Sequence, residues 1–434
     1  MVAARRFRHA PFGFSFALCL ASFGTEGRVA WSQPPLPDAL QRPATPLQLP
    51  PDSRSGPNAA PSDRPMPGQT LSPKQVEELD DRLLQDASKI LAPNEKSLAL
   101  ERIARSKIQG NETSDLKEAL DALFQAAELA PQVQEPLLHD LRIKGVIGTM
   151  IVLTEAQVRE AMTDDTLRQP SADEGQFRPV ADRMKFLEDV RKTLRRAGQL
   201  AQLLKSPTSR SEMMDEVAES WGVRAQSVAT EVIRSTRARR DLKGQEKELN
   251  GFCDSAVVEG IALASRVERP LWRDRALGMT CLYSAQSDLH ERSLEAAALI
   301  KAADIRTLAM LRAAESLARL SKKDRATELY QVSAETLVSI PDSDVRLILA
   351  GVLVDSLVSV GRFDDARRCV SLFPTEVGKV RVLGAIAESQ GRRGLGEKAR
   401  AWIQSEVDPR FRSTLERRVI DGMLGAIDEN RGQL

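Results

Sequence analysis

The sequence predicts an all-α protein built as an α-solenoid of antiparallel helix pairs. Three observations lead there. Helical periodicity runs through nearly every segment from residue 74 onward, with no convincing strand. Short segments recur in register with small residues in fixed columns. Aromatics make up only 4% of the 434 residues, so the core rests on Leu, Ala, Val and Ile. That composition suits closely packed helices better than a sandwich of sheets.

Residues 1–32 read as a secretory signal. Arg5, Arg6 and Arg8 precede a short apolar run, Phe14 to Phe23, followed by small residues. The run is too short for a bilayer, which needs about 20 residues. These residues hold four Arg and one Glu, so their removal turns a formal net charge of +1 into −2. Neither balance supports a general attraction to nucleic acid or anionic lipid. Residues 33–73 contain 12 prolines among Ser, Gln, Asn and Asp, and read as a disordered Pro-rich linker. The expected address is therefore export to the periplasm or cell envelope.

Order begins at Ser72-Pro73, where Ser caps, Pro takes the first helical position and Gln75 completes a capping box. Further helix starts are expected at Ser114-Asp115, at Ser171 with Glu174, and at Ser209 with Glu212. Val146 to Leu153 reads as a buried helix. Leu187, Val190, Leu194, Ala197, Ala201 and Leu204 fall on one helical face. Residues 74–250 form an N-terminal helical region and 251–434 the repeat region. The cysteines left after the signal, Cys253, Cys281 and Cys369, have no metal spacing and read as free thiols, although one bridge stays open.

The repeat aligns Leu282–Ser293, Glu315–Ala326, Asp355–Ala366 and Glu388–Ala399 without gaps. One column holds Asp288, Ser321, Gly361 and Gly394, where a first helix ends and positive φ is expected. Five residues later stand Ala326, Ala366 and Ala399; seven earlier stand Cys281, Ala314, Val354 and Ala387. Gly278, Gly351 and Gly384 recur ten residues before the turn, which predicts close helix contact there. The motifs Gly361-Arg-Phe-Asp-Asp-Ala366 and Gly394-Leu-Gly-Glu-Lys-Ala399, a period near 34, and Pro341, Pro374 and Pro409 closing the units resemble the tetratricopeptide repeat. The likeness spans roughly residues 270–409. The large aromatics of that family's first helix are missing, and other α-solenoid pairs fit the period as well. The resemblance implies a superhelix that binds a protein or peptide on its concave face. Residues 411–428 are expected to form a C-terminal capping helix.

Two charged columns accompany the repeat. Glu315, Asp355 and Glu388 align six residues before the turn, with Arg319 and Arg392 four residues after the two glutamates. They read either as a partner-binding acidic stripe or as local i,i+4 ion pairs. Arg273, Arg306, Arg346 and Lys379 align fifteen residues before the turn, suited either to pairing with carbonyls or acids that end the preceding helix or to forming a rim that holds acidic ligands. Basic runs at Arg191, Lys192, Arg195 and Arg196, and at Arg234 to Lys243, read as solvated helix faces.

No catalytic, metal-binding or cofactor motif is found. Glu388-Ser389 ahead of Gly394-Leu395 faintly resembles elements of lytic transglycosylases, at a spacing foreign to that family. The same dipeptide recurs in register as Glu315-Ser316 and Asp355-Ser356, so it belongs to the repeat. The expectation is an exported scaffold for a protein or peptide partner, with no enzyme activity and no nucleic acid. The alternatives are an envelope enzyme with a glutamate as general acid, and a structural spacer.

Overall fold

The computed structural model describes residues 73–110, 113–162, 180–237 and 245–431, which hold sixteen α-helices and no strand. The expected signal, the linker up to Ser72, the helix start at Ser171 with Glu174, and Arg239, Arg240 and Lys243 lie outside these residues. Helix α1 (Pro73–Ser88) leads into seven pairs. These are α2 (Pro93–Gly110) with α3 (Thr113–Leu129), α4 (Pro136–Met162) with α5 (Val180–Gln202), and α6 (Pro207–Arg237) with α7 (Glu246–Ser265). Next come α8 (Pro270–Gln286) with α9 (His290–Leu299) and α10 (Ala303–Arg319) with α11 (Lys323–Val338). The last are α12 (Ser343–Ser359) with α13 (Phe363–Arg368) and α14 (Glu376–Arg392) with α15 (Gly396–Glu406). A final helix, α16 (Pro409–Arg431), closes the array.

From α2 to α16 each even-numbered helix packs on the next even-numbered one, while the odd-numbered helices back them. The described helices belong to one compact unit, Leu71–Leu434, and residue 250 falls inside α7. The protein is thus a helical-repeat solenoid. Among the described residues no helix is long and apolar enough to cross a membrane.

The turn within each of the last four aligned pairs is one motif. Asp288, Ser321, Gly361 and Gly394 all adopt positive φ, at 62, 65, 80 and 72°. The following residue donates its N–H to the carbonyl five residues back: Leu289 to Ser284 (2.8 Å), Lys322 to Leu317 (2.9 Å), Arg362 to Leu357 (2.8 Å) and Leu395 to Gln390 (2.8 Å). That is the long bond of a Schellman cap. The carbonyl of that same residue then accepts the first bond of the next helix, from Ser293, Ala326, Ala366 and Ala399, all at 3.0 Å. These four small residues are fully buried, as are Cys281, Ala314 and Ala387 seven residues before the turn. A larger side chain in either column would push the two helices of a pair apart. Cys281 and Cys253 are buried free thiols and Cys369 is half-buried; burial pushes them up to about 11, 12 and 11.

Several expectations are corrected in detail. The glycine column does not mark close contact: a Cβ on Gly351 would meet nothing within 4 Å, and one on Gly278 or Gly384 only ordinary neighbours. The close approach lies instead where α14 crosses α16, with Gly391 against the Val419 carbonyl and Gly422 against the Glu388 carbonyl. Helix α6 begins at Pro207, not Ser209; the cap is Ser206, whose Oγ accepts the Ser209 N–H at 3.3 Å. Proline occupies the first position here as it does in α2, α4, α8 and α16. Helix α16 is not a polar cap. It packs on α14 and leaves Ile420, Met423, Leu424 and Ile427 exposed.

The cationic column runs far beyond the four residues aligned on the turn. It is the fourth residue of every even-numbered helix: Lys96, His139, Arg210, Arg273, Arg306, Arg346, Lys379 and Arg412. Four of these reach back to a carbonyl at the junction behind. Lys96 donates to Ser88 (2.9 Å), Arg210 to Leu204 (2.9 and 3.1 Å), Arg346 to Ile340 (3.3 Å) and Arg412 to Val407 (2.9 Å). In α4, α6 and α8 the fifth residue reaches forward to the start of the next even-numbered helix. Asp140 accepts from the Lys205 and Ser206 amides (2.9 and 3.0 Å), Ser211 from Arg269 (3.4 Å), and Asp274 from Lys301 and Ala302 (3.2 and 2.8 Å). Burial opposes ionisation of Asp140, but the Lys205 amide, His139 and the Ser206 amide hold its carboxyl below the usual range.

Candidate functional site

The acidic column sits on α10, α12 and α14, and its members differ. Glu315 is buried and bonded to Arg319, with Arg312 at 3.3 Å and the Ser359 hydroxyl at 3.4 Å. Glu388 pairs with Arg392 at 3.5 Å and with Arg418 of α16 at 3.3 Å. Asp355 is exposed; the protein around it pushes its carboxyl up, against the pull of Arg381. Two of the three carboxylates are thus committed inside the molecule, and Arg319 and Arg392 are their partners. The basic run on α5 is likewise engaged. Arg195 pairs with Glu259 of α7 at 2.7 Å, and Arg191 donates to Ser255 at 2.6 Å while stacking 5.1 Å from the Phe252 ring.

A second cluster was not singled out in the sequence. Helix α6 carries Glu212, Asp215, Glu216 and Glu219 at spacings of three, one and three, which is one helical face. Lys144 of α4 meets Glu212 at 2.7 Å. Arg275 of α8 binds Asp215 and lies 3.3 Å from Glu219; the Tyr283 hydroxyl also donates to Glu219 at 3.3 Å. Burial pushes the Glu219 carboxyl up, with Tyr283 opposing and Glu216 adding to the rise. Burial and the Glu212 charge push Glu216 up, with Lys144 opposing. Burial also pushes the Tyr283 hydroxyl up and holds Arg275 down. The signal was present as four acids at helical spacing, but their partners sit 56 or more residues away.

The structure forms an open cleft of about 330 Å³ near the end of the array, between α13, α14, α15 and the start of α16. Its apolar lining comes from Val370, Val380, Leu383, Trp402 and Phe411. The Trp402 indole is fixed from both sides: its N–H donates to Gln390 at 2.6 Å, and the Arg367 guanidinium lies 5.2 Å from the ring. The charged rim is mostly self-paired, Arg367 with Glu406 at 3.4 Å and Arg410 with Glu376 and Asp408 at 3.6 and 2.8 Å. Lys379 stands on this rim without an ion partner among the described residues. It is the member of the cationic column whose helix start opens onto the cleft. Such a cleft has room for an apolar group and places one uncommitted cation beside it.

No protein family's sequence profile matches the chain, and no curated protein does. Among solved structures, a circular tandem repeat protein with novel repeat topology and enhanced subunit contact surfaces aligns at 12% identity and TM-score 0.38. That alignment covers 82% of this chain and 88% of that one. A chain from the computational design of self-assembling cyclic protein homooligomers aligns at 12% identity and TM-score 0.22, over 80% of this chain and 94% of its own. Neither likeness bears on what this chain binds.

Proposed function

We propose that the protein is an exported helical-repeat scaffold, of tetratricopeptide type, that binds a protein or peptide partner and turns over no substrate. The observation that carries the reading is the cleft around Trp402, apolar at its floor and bordered by the unpaired Lys379. A segment with one large apolar side chain next to an Asp or Glu fits it. The apolar group would displace water from the floor while the carboxylate meets the ammonium. The exposed Asp355 offers a separate contact for a basic residue of the same partner. Selecting a displayed random-peptide library on the full chain tests this. An apolar anchor beside an acid should be enriched, and Lys379→Glu should turn the neighbouring preference to Lys or Arg. No enriched motif, or the same motif on both proteins, sinks the assignment.

An enzyme with a glutamate as general acid draws support from one observation, the raised Glu219 carboxyl beside Tyr283. Against it, Tyr283 and Arg275 already engage the two oxygens of Glu219, and the cleft described above lies among other helices.

A further inference from the structure

Helix α16 ends the described array with an apolar face that is left largely open, Met423 at its edge lying against Gly396 of α15. Ile420, Met423, Leu424 and Ile427 are 47, 38, 52 and 46% exposed, spaced by three, one and three along the helix. Every other even-numbered helix from α2 onward carries a following neighbour on the corresponding side. The position of α16 is well fixed, because Gly391 and Gly422 let its backbone lie against that of α14, and Val419 and Leu415 are fully buried beneath it. The exposed face is therefore a preformed surface on a rigid element.

The charges of α16 say what fits it. Residues 409–418 contain Arg410, Arg412, Arg417, Arg418 and a single acid, Glu416; residues 419–431 contain Asp421, Asp428, Glu429 and a single base, Arg431. Arg418 and Glu429 turn toward α14, where they pair with Glu388 and Arg392. Arg417 and Asp428 are exposed, and spacings of three and four place them on the face of Ile420 and Leu424, one at each end of the apolar stripe. Two such helices laid antiparallel set basic half against acidic half; laid parallel they set like against like.

We propose that α16 is a homodimerisation surface, occupied by α16 of a second copy of this chain across a two-fold axis near Gly422. Ile420 and Leu424 of each copy pack on those of the other, and Arg417 meets the partner's Asp428 on both sides of the axis. The contact is isologous, so it closes at two chains. It lies on a helix face distinct from the Trp402 cleft, and does not depend on what that cleft binds.

Sedimentation of the full chain over a wide concentration range tests the proposal. The mass should rise with concentration and level off at two chains. Ile420→Glu/Leu424→Glu should stay monomeric at the highest concentration with unchanged helical circular dichroism, since both side chains are already half exposed. Arg417→Glu alone, or Asp428→Arg alone, should raise the dissociation constant by about tenfold or more, because each acts twice across the axis. The combined Arg417→Glu/Asp428→Arg chain should return to the parent value. A monomer at every concentration overturns the proposal, whether this chain's own residues or another protein covers the stripe. So does mass that grows past two chains, a dimer undiminished by the glutamates, or a charge swap that fails to restore it.

Discussion

Ser321 and Asp288 hold a backbone conformation that glycine holds at Gly361 and Gly394. A side chain in that region strains the chain by about 1–2 kcal/mol, which outweighs the ~0.5–1 kcal/mol that glycine's greater freedom in the unfolded chain costs at any position. Ser321→Gly should therefore stabilise the protein by about 0.5–1 kcal/mol, seen as a higher urea midpoint at unchanged slope. A lower midpoint would mean that the turn is not under strain. Asp288→Gly should gain less, because Asp288 also pairs with Lys322 and Arg325 at 2.7 and 3.0 Å. The turn was legible because two glycines fixed the column and the alignment carried it to Ser321 and Asp288. The crossing of Gly391 and Gly422 was not legible, since nothing local distinguishes Gly422 from Gly425 until α14 is laid beside α16.

At the scale of the helix, the cationic fourth residue was legible over half its extent. Counting back from the turn finds Arg273 to Lys379, whose helices all have 17 residues. It misses His139 and Arg210, because α4 and α6 run to 27 and 31 residues, and Lys96, because the aligned turns do not extend back to α2. The helix start is the invariant feature, marked by proline in five of the eight helices and by a bond to the junction carbonyl in four, rather than by distance to the next turn. The forward tie from the fifth residue matters most at Asp140. Its folded-state pKa lies below the unfolded value. Its contribution is thus fully present above the unfolded pKa and is lost as pH falls through the folded one. Asp140→Ala should cost about 2–3 kcal/mol at neutral pH, the size expected for charged hydrogen bonds to two amides. The difference between the two proteins in chemical denaturation should shrink as pH drops below the carboxylate range. A difference that stays constant into acid would show that packing, not charge, holds the α4–α6 junction. The α6 carboxylates that sequence reading passed over belong to this scale too: their spacing is visible, but only the packing of α8 against α6 brings Arg275 and Tyr283 to them.

Over the whole molecule, the repeat order read from residues 270–409 extends back to α2, so that one packing rule organises the described helices from α2 to α16. The candidate sites were less legible. The acidic stripe was drawn from a column, and two of its carboxylates are neutralised by arginines within the fold. The Trp402 cleft combines residues from four helices and has no linear signature. The turn shared by the last four pairs carries a mechanical consequence. Each of these pairs is closed by a self-capped reversal with its own backbone bonds, whereas successive pairs meet through side chains reaching across the junctions. Under tension applied at the two ends, the junctions held by side chains are the compliant ones, and these four pairs should yield one at a time. In an optical trap the turn spacings of 33, 40 and 33 residues translate into rips of roughly 110, 135 and 110 Å of released chain, at ~3.4 Å per extended residue. A single rip for the whole array would mean that the junctions are as stiff as the hairpins they connect.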